Sequence, residues 1–147
     1  MPAPAHMLPL NPNLMDTLVR GGESGWIQND LEGMAFMKVL FVGEESGQWA
    51  VLFRWKKGYV AGPHKHLSAA HTYVISGKLE IRDGTLEAGD YIYERNGMIH
   101  EKTTALEDTD YLFICEGPMV FYGDEGITGY FSWEEVAKMQ AGAAAAS

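Results

Sequence analysis

Short apolar runs separated by turn residues recur along this chain, and this rhythm restricts the folds that it can adopt. Each run holds a few residues and is rich in β-branched or aromatic side chains. The runs cover residues 34–42, 49–55, 72–75, 79–82, 91–93, 111–115 and 119–122. Strands of this length at this spacing are typical of a β-sandwich or β-barrel. Since 147 residues suit one domain with a substantial core, we predict a single all-β domain.

Turn residues between the runs predict how the strands connect. Ser76-Gly77-Lys78 separates two runs and predicts a tight hairpin, in which Gly77 adopts a positive φ. Asp83-Gly84 and Ala88-Gly89-Asp90 mark two further turns. Three turns are therefore expected between residues 76 and 90.

The two ends of the chain differ from its centre. Four prolines within residues 2–12 predict an extended arm over residues 1–13, which is mobile or packs on a partner subunit. Ser132 followed by Glu135 fits a capping box and predicts a short helix through about Met139. The alanine-rich residues 141–147 offer little to dock and are expected to fray as a flexible tail. The folded domain is therefore assigned to residues 14–140.

Charge and cysteine content exclude several classes of partner. The chain has 11 Lys and Arg against 20 Asp and Glu, a formal net charge of −9, so nucleic acid and anionic membranes are poor partners. The lone Cys115 lies in an apolar run and excludes an intramolecular disulfide. The N-terminus lacks a signal-peptide pattern, and no segment has the length of a membrane span. We therefore expect a cytoplasmic protein.

Three of the five histidines fall in two short segments, each of which resembles the end of a strand. His64 and His66 are two residues apart, so in a strand both imidazoles point to one face while Lys65 points to the other. His100, on a neighbouring strand, would supply a third imidazole. Three neutral nitrogens leave coordination positions open for water, substrate or dioxygen, as in catalytic metal sites. The pattern therefore predicts a metal site, and imidazoles suit Fe, Zn, Cu and Ni alike.

The residues around these histidines resemble the two sequence motifs of the cupins. The matching positions are turn glycines and the three histidines: Gly58, His64, His66 and Gly77 in the first motif, and Gly89, Gly97 and His100 in the second. This resemblance implies a double-stranded β-helix barrel, related to jelly rolls, with one metal inside. Ala70 and His71 stand where the first motif usually has a glutamate ligand, and Arg95 replaces the usual proline of the second motif.

A cupin with three histidines and no glutamate in the first motif is similar to the acetylacetone-cleaving dioxygenases and the 2,4'-dihydroxyacetophenone dioxygenases. The resemblance extends over residues 26–139. It implies that the three histidines hold Fe(II), with Zn or Ni as other metals that the site would accept. Around that metal it implies catalytic or substrate-orienting side chains at Arg82, Glu94 and Thr103, and pocket positions at Ala61, Thr72 and Cys115. Strand alternation also places Tyr111 among the candidates for the pocket.

Three of these side chains keep more than one interpretation. Glu94 could accept a hydrogen bond from a ligand histidine or from metal-bound water, or could be a fourth ligand. Counted from His66, His71 takes the place of the usual glutamate ligand, but counted back from Gly77 it is one residue late, which turns its side chain to the other face. Arg82 could pair with Glu94 inside the barrel or lie solvated at a strand edge.

The resemblance implies an Fe(II)-dependent dioxygenase that uses O2 to cleave a C–C bond in a small β-diketone or hydroxyketone substrate. The alternative is a non-catalytic or sensory zinc cupin of the ChrR-like type, and a third hypothesis is a different metal enzyme on the same barrel. Exposed strand edges and the proline-rich arm also predict a homodimer or a homotetramer.

Overall fold

The computed structural model describes residues 2–146 and confirms an all-β fold with one C-terminal helix. The strands β1 to β14 are, in order, Trp26–Gln28, Ala35–Val42, Trp49–Trp55, Val60–Ala61, His64–His66, Ala70–Ser76, Lys78–Ile81, Gly84–Glu87, Tyr91–Glu94, Ile99–His100, Thr103–Ala105, Thr109–Cys115, Met119–Gly123 and Gly126–Phe131. Helix α1 is Trp133–Ala146, and one 3-10 turn covers Ala5–Met7. Each predicted run forms a strand, and the strands that the apolar pattern missed are mostly short.

The strands form three antiparallel sheets. The largest has the order β1-β2-β3-β12-β6-β9, and the two smaller ones have the orders β10-β5-β13-β14 and β4-β11-β7-β8. Side chains from all three sheets share one core, in which Phe53 and Phe113 come from the large sheet, Met119 from the second and Leu79 from the third. This architecture is the predicted cupin jelly roll.

Strand alternation decides which side chains enter this core. In β12, Tyr111, Phe113 and Cys115 are buried, whereas Leu112 and Ile114 on the opposite face are partly exposed. The neighbouring strand β3 contributes Trp49, Val51, Phe53 and Trp55 to the same buried face. Each large apolar side chain buried in this way contributes about 1.5–3 kcal/mol to stability. The inner face of the large sheet therefore forms an aromatic wall.

Gly77 does not close a hairpin, and that prediction was wrong. Strand β6 pairs with β12 and β9, whereas β7 pairs with β11 and β8, so the chain crosses from one sheet to another at this residue. The predicted positive φ is present, at 89°. A Cβ atom on Gly77 would collide with the carbonyl of Asp108 and the hydroxyl of Thr109. Turn residues mark a change of direction, but they do not fix which strands become partners.

The N-terminal segment is irregular up to the start of β1, apart from its 3-10 turn. Its apolar side chains are exposed in the single chain: Met7, Leu8, Leu10, Leu14, Met15 and Leu18. Its last residues are tied to the sheet by Lys38, whose Nζ donates to the carbonyls of Arg20 and Gly22 at 2.7 and 3.3 Å. Packing of the arm on a second subunit stays a prediction.

The capping box at the start of α1 is present. The backbone N–H of Ser132 donates to Glu135 Oε1 at 2.9 Å, and that of Glu134 donates to Ser132 Oγ at 3.3 Å. The helix continues to Ala146 rather than ending near Met139, so most of the predicted flexible tail is helical. Alanine has the highest helix propensity of all residues, which explains the extension. Ser147 lies outside the described residues. Within residues 2–146, no helix has both the length and the apolar character needed to cross a membrane.

The crossing at Gly77 can be tested against a matched glycine. Gly89 has nearly the same φ, 91°, but a Cβ atom there meets nothing within 4 Å. Gly89→Ala should therefore cost only the strain of left-handed backbone, about 1–2 kcal/mol. Gly77→Ala adds a collision with β12 and its preceding loop, so we expect a loss of about 3 kcal/mol or more. Urea unfolding measures both values, and equal losses would contradict the close approach.

Candidate metal centre

The imidazoles of His64, His66 and His100 meet on one face of the sheet that contains β5 and β10. One ring nitrogen from each of His64, His66 and His100 lies within 4.8 Å of the other two. The ring centroids form a nearly equilateral triangle with sides of 5.1, 5.3 and 5.3 Å. Three imidazoles that converge in this way are a donor set suited to a transition metal.

Strand pairing explains the convergence. His64 lies directly opposite His100 in the antiparallel pair of β5 and β10, so the two side chains leave the sheet on the same face. His66 follows two residues after His64 and shares that face. The loop before β10 fixes the backbone of His66, because the His66 N–H donates to Met98 O at 2.8 Å and its carbonyl accepts from Gly97 N at 2.9 Å.

His66 provides the test of whether these residues fit a metal. Its side chain is 0% exposed, and neither ring nitrogen has a hydrogen-bond partner among the described residues. Buried polar atoms without partners are costly and rare in folded proteins. A cation between the three rings would satisfy one of these nitrogens. His64 is already oriented for such a role, since its Nδ1 lies 3.0 Å from Gly62 O and leaves Nε2 free.

Glu94 lies against two of the three imidazoles at the end of β9. Its Oε1 is 2.7 Å from His100 Nε2 and 3.8 Å from His66 Nε2. Its Oε2 accepts a hydrogen bond from the hydroxyl of Thr72 at 3.0 Å. The carboxylate thus contacts the cluster from one side, where it could orient a histidine or enter the coordination shell itself.

Burial and charge set the protonation of this cluster. Burial lowers the pKa of His66 to about 4, and it lowers the pKa of His64 as well. Burial acts to raise the pKa of Glu94, but the hydrogen bond with His100 and the nearby imidazoles outweigh it and leave the pKa lowered. At neutral pH, His64 and His66 are therefore neutral donors beside an ionised carboxylate, which is the protonation state that a metal requires.

A cavity of about 270 Å³ opens above the histidines. Its polar side chains near the cluster are Glu94, Thr72 and Thr103. Its walls are aromatic and aliphatic, and they include Phe53, Trp55, Tyr111, Phe113, Phe121 and Phe131. The volume is close to the lower end of the range for small-molecule pockets, about 300–1,000 Å³. The site is therefore a small, largely apolar chamber with a polar floor.

The structure does not bring His71 to this cluster. In β6, Ala70 and Thr72 are buried and His71 points to the outer face. Its Nδ1 lies 2.6 Å from the hydroxyl of Tyr91, and its Nε2 lies 3.5 Å from Glu116 Oε1. The count back from Gly77 therefore gives the correct face, and the suggestion of His71 as a fourth ligand is corrected.

Two other candidates also lie outside the cavity. Arg82 is exposed in the two-residue turn between β7 and β8, where it donates to Ile99 O at 3.4 Å and does not reach Glu94. Cys115 is buried in the core, with its Sγ 3.2 Å from Gly117 O, and is not part of the cavity lining. Of the predicted pocket and orienting residues, the cavity lining contains Ala61, Thr72, Glu94, Thr103 and Tyr111.

Sequence reasoning missed several lining residues. Asn29 follows β1 in a loop, and Tyr59 precedes β4. Phe121 lies opposite His64 in the pairing of β13 with β5, where its ring is 5.8 Å from that imidazole. The apolar run over residues 119–122 marked a strand at Phe121, but nothing local in the sequence marks Asn29 as a cavity residue.

Comparisons with known proteins agree with this architecture. A family model described as the ChrR Cupin-like domain matches residues 15–120. The chain is 25% identical over 111 residues to the acetylacetone-cleaving enzyme of Acinetobacter johnsonii. The aligned region covers 71% of this chain and 72% of that protein.

Two solved structures show the same fold. Acetylacetone dioxygenase from Acinetobacter johnsonii matches with a TM-score of 0.80 at 21% identity, covering 88% of this chain and 93% of that one. An RmlC-like cupin protein from Ralstonia eutropha matches with a TM-score of 0.77 at 17% identity, covering 83% and 82%. These matches confirm the cupin fold predicted from the motifs. Because the family model spans well over half of the sequence, the chain belongs to the ChrR Cupin-like domain family.

Proposed function

We propose that this protein is an Fe(II)-dependent dioxygenase that cleaves a C–C bond next to a carbonyl in a β-diketone or hydroxyketone. The observation that carries the proposal is His66, whose two buried ring nitrogens lack partners beside His64 and His100, which line an apolar chamber. The similarity to a protein named for acetylacetone cleavage supports this reaction class. His64, His66 and His100 are the residues that would hold the metal.

Charge at the floor of the chamber favours an anionic chelating substrate. Iron bound there would supply two functions, polarisation of the substrate oxygens and activation of O2. His64 and His66 are neutral donors and do not offset the charge of a dication. Glu94 is the only acidic side chain of the cavity lining in the described chain. An enolate is therefore better held in this chamber than at a floor that carries two or more carboxylates.

Glu94 would accept the proton that enolate formation releases. Thr72 donates to Oε2, so the proton would go to Oε1, the oxygen that also lies 2.7 Å from His100 Nε2. The lowered pKa of Glu94 keeps the carboxylate ionised before substrate binds. Thr103, buried at the wall on β11, offers a hydroxyl that can orient a substrate oxygen. The surrounding aromatic side chains exclude water from the reacting atoms.

A non-catalytic zinc site is the second candidate, and the position of Glu94 favours it. A carboxylate oxygen beside two of three histidines could complete four protein ligands, as in closed structural zinc sites. A closed site would bind Zn²⁺ tightly and leave no position for substrate. The number of protein ligands on the bound metal therefore separates the two functions.

The first prediction concerns the metal itself. His66→Gln should weaken binding of Co(II) or Zn(II) to the metal-stripped protein by about 100-fold or more, because it removes a ligand and not merely an outer partner. His71→Gln is the matched control, since His71 faces outward and contacts Tyr91. Isothermal titration calorimetry and the visible spectrum of bound Co(II) measure the metal affinity of both variants. Equal weakening by the two substitutions would contradict the assignment.

Protonation of the buried histidines also affects the stability of the metal-free protein. Unfolded His66 takes up a proton near pH 6.5, whereas in the folded protein burial lowers its pKa to about 4. Between these values the unfolded state binds more protons, so stability falls as the pH falls. Burial shifts His64 in the same direction. Glu94, with a lowered pKa, contributes stability that is lost only below about pH 4.5.

We therefore expect metal-free protein to lose stability between pH 7 and pH 5. The loss should be about 1–2 kcal/mol larger in the wild type than in His66→Gln, because glutamine has no proton to gain. Urea denaturation at a series of pH values, with chelator present, measures the difference. Identical pH profiles for the two proteins would show that His66 does not titrate in this way.

Oxygen uptake tests the proposed reaction. Protein stripped of metal and reloaded anaerobically with Fe(II) should consume O2 on addition of acetylacetone or 2,4'-dihydroxyacetophenone. His100→Ala should abolish the uptake, and His71→Ala should retain it, because only His100 belongs to the cluster. An oxygen electrode records the rates, and analysis of the carbonyl products identifies the cleaved bond. No uptake with either ketone, together with zinc that survives chelation, would reject the dioxygenase in favour of the zinc site.

A further inference from the structure

The outer face of the large sheet carries aromatic side chains that residues 2–146 leave exposed. Directly paired residues share a face, so the pairing of Tyr91 with Tyr73 and of Tyr93 with His71 places four rings side by side on β9 and β6. Tyr73, Tyr91 and Tyr93 are 45%, 55% and 54% exposed. Helix α1 packs against β1, β2 and β14, so it lies toward the β1 end of this sheet and away from β9. Tyr91 and Tyr93 thus form a tyrosine ridge along the edge strand β9.

The same face continues onto β12 and β3 with smaller side chains. Leu112 is paired with Tyr73 and Ile114 with His71, and Leu52 of β3 is paired with Leu112. These aliphatic side chains are only partly exposed. A shallow recess of about 400 Å³ lies over β12, lined by Gln48, His71, Tyr73, Tyr91, Leu112 and Ile114. The face therefore combines a protruding half on β9 with a lower half on β12 and β3.

The centre of this face has no formal charge, and its rim is charged. Two rows of paired residues cross the four strands, and neither row contains a lysine, an arginine or an acid: Tyr91, Tyr73, Leu112 and Leu52 in one row, and Tyr93, His71, Ile114 and Ala50 in the other. On one side of the rows Arg54 lies 2.9 Å from Asp110, and on the other Glu116 lies 3.5 Å from His71 Nε2. A neutral centre rich in tyrosine with a charged rim is the usual composition of a protein–protein interface.

The exposed area of this face suits a dimer of standard size. Three tyrosines that are each about half exposed present about 100 Å² apiece. Ile75, 48% exposed on β6, and the aliphatic side chains raise the apolar face to roughly 600 Å², the upper end of the largest patch on a typical monomer. With its rim, the face therefore comes close to the ~800 Å² that each partner contributes to a standard interface.

Charge and shape favour a second copy of this chain as the occupant. Two copies with a formal net charge of −9 repel each other, so contact between them costs least over a face without charge. A basic partner would need free carboxylates at the rim, but Asp110 and Glu116 already lie against Arg54 and His71. The ridge and the recess lie side by side on one face, and this arrangement is complementary to itself.

The ridge is ordered before any partner binds. The hydroxyl of Tyr91 and Nδ1 of His71 share a hydrogen bond of 2.6 Å. The rings of these two residues are stacked at 5.9 Å, and the ring of Tyr93 lies 5.3 Å from His71 on its other side. Side chains that are already held in place lose little conformational entropy on association.

We propose that this outer face is a homodimer interface, in which the tyrosine ridge of each copy fills the recess of the other. A two-fold axis that runs along the strands between β6 and β12 places the protruding half of each copy over the lower half of its partner, so the contact is isologous. The two sheets then pack face to face about 10 Å apart. The metal ligands lie inside the barrel, so this inference does not rest on the proposed function.

Analytical ultracentrifugation over a range of concentrations tests the interface. Wild-type protein should sediment as a dimer, with twice the chain mass of 16.3 kDa. Tyr91→Glu and Tyr93→Glu place a charge in the neutral centre, and each should raise the dimer dissociation constant about 30-fold or more, as expected for an interface hot spot. Tyr130→Glu is the matched control, because Tyr130 is 60% exposed on β14 of another sheet, and it should leave the constant unchanged. Circular dichroism verifies that all three variants are folded.

Cross-linking tests which part of the partner covers the ridge. p-Benzoylphenylalanine in place of Tyr93, in mixed dimers of ¹⁵N-labelled and unlabelled chains, should form cross-links to β12 of the other copy. A monomeric wild type would overturn the proposal and leave the face to a different protein. An equal effect of Tyr93→Glu and Tyr130→Glu on the dissociation constant would also overturn it. Cross-links confined to residues 2–20 of the other copy would assign the face to the N-terminal arm and reject packing of sheet on sheet.

Discussion

The desolvation of three imidazoles in the barrel is the constraint on which the rest of the site depends. His66 has no exposed surface and no partner for either ring nitrogen in the described chain. Burial of polar atoms in this way lowers the stability of the metal-free protein. The same burial keeps His64 and His66 neutral and able to donate electron pairs. A cation bound between the three rings would therefore stabilise the fold, and its binding would be coupled to folding.

The barrel supplies the rigidity that such a cluster needs. His64 and His100 are fixed opposite each other by strand pairing, and β13 on the other side of β5 brings Phe121 against His64. The large sheet closes the chamber from the opposite side with Phe53 and Phe113. The crossing at Gly77 is what allows consecutive strands to contribute to different walls. A side chain at Gly77 would push against β12, which carries Tyr111 and Phe113.

The sequence predicted what depends on local pattern and missed what depends on strand pairing. The spacing of His64 and His66 requires only the two-residue period of a strand, and the apolar runs require only burial of one face. The hairpin at Gly77 and the place of Arg82 depend on which strands pair, a property of the whole chain. His71 shows the limit most clearly, because counting from His66 crosses an irregular loop, whereas counting from Gly77 stays within one strand.

The alternation of side chains between the two faces of a strand also decides which chemical groups line the cavity. In β6, Thr72 faces Glu94 while its neighbours His71 and Tyr73 face outward, and in β12 Tyr111 faces inward while Leu112 faces outward. A register shift of one residue in either strand would turn the inward hydrogen-bonding side chain outward and bring a neighbouring outer-face side chain into the cavity. The register is fixed over the full length of β12 by pairing with β3, and from Tyr111 to Cys115 by pairing with β6. It therefore determines where polar groups stand in an apolar chamber. Under the proposed function, specificity would follow from those few inward polar positions, because aromatic walls by themselves distinguish shape but not hydrogen-bonding groups.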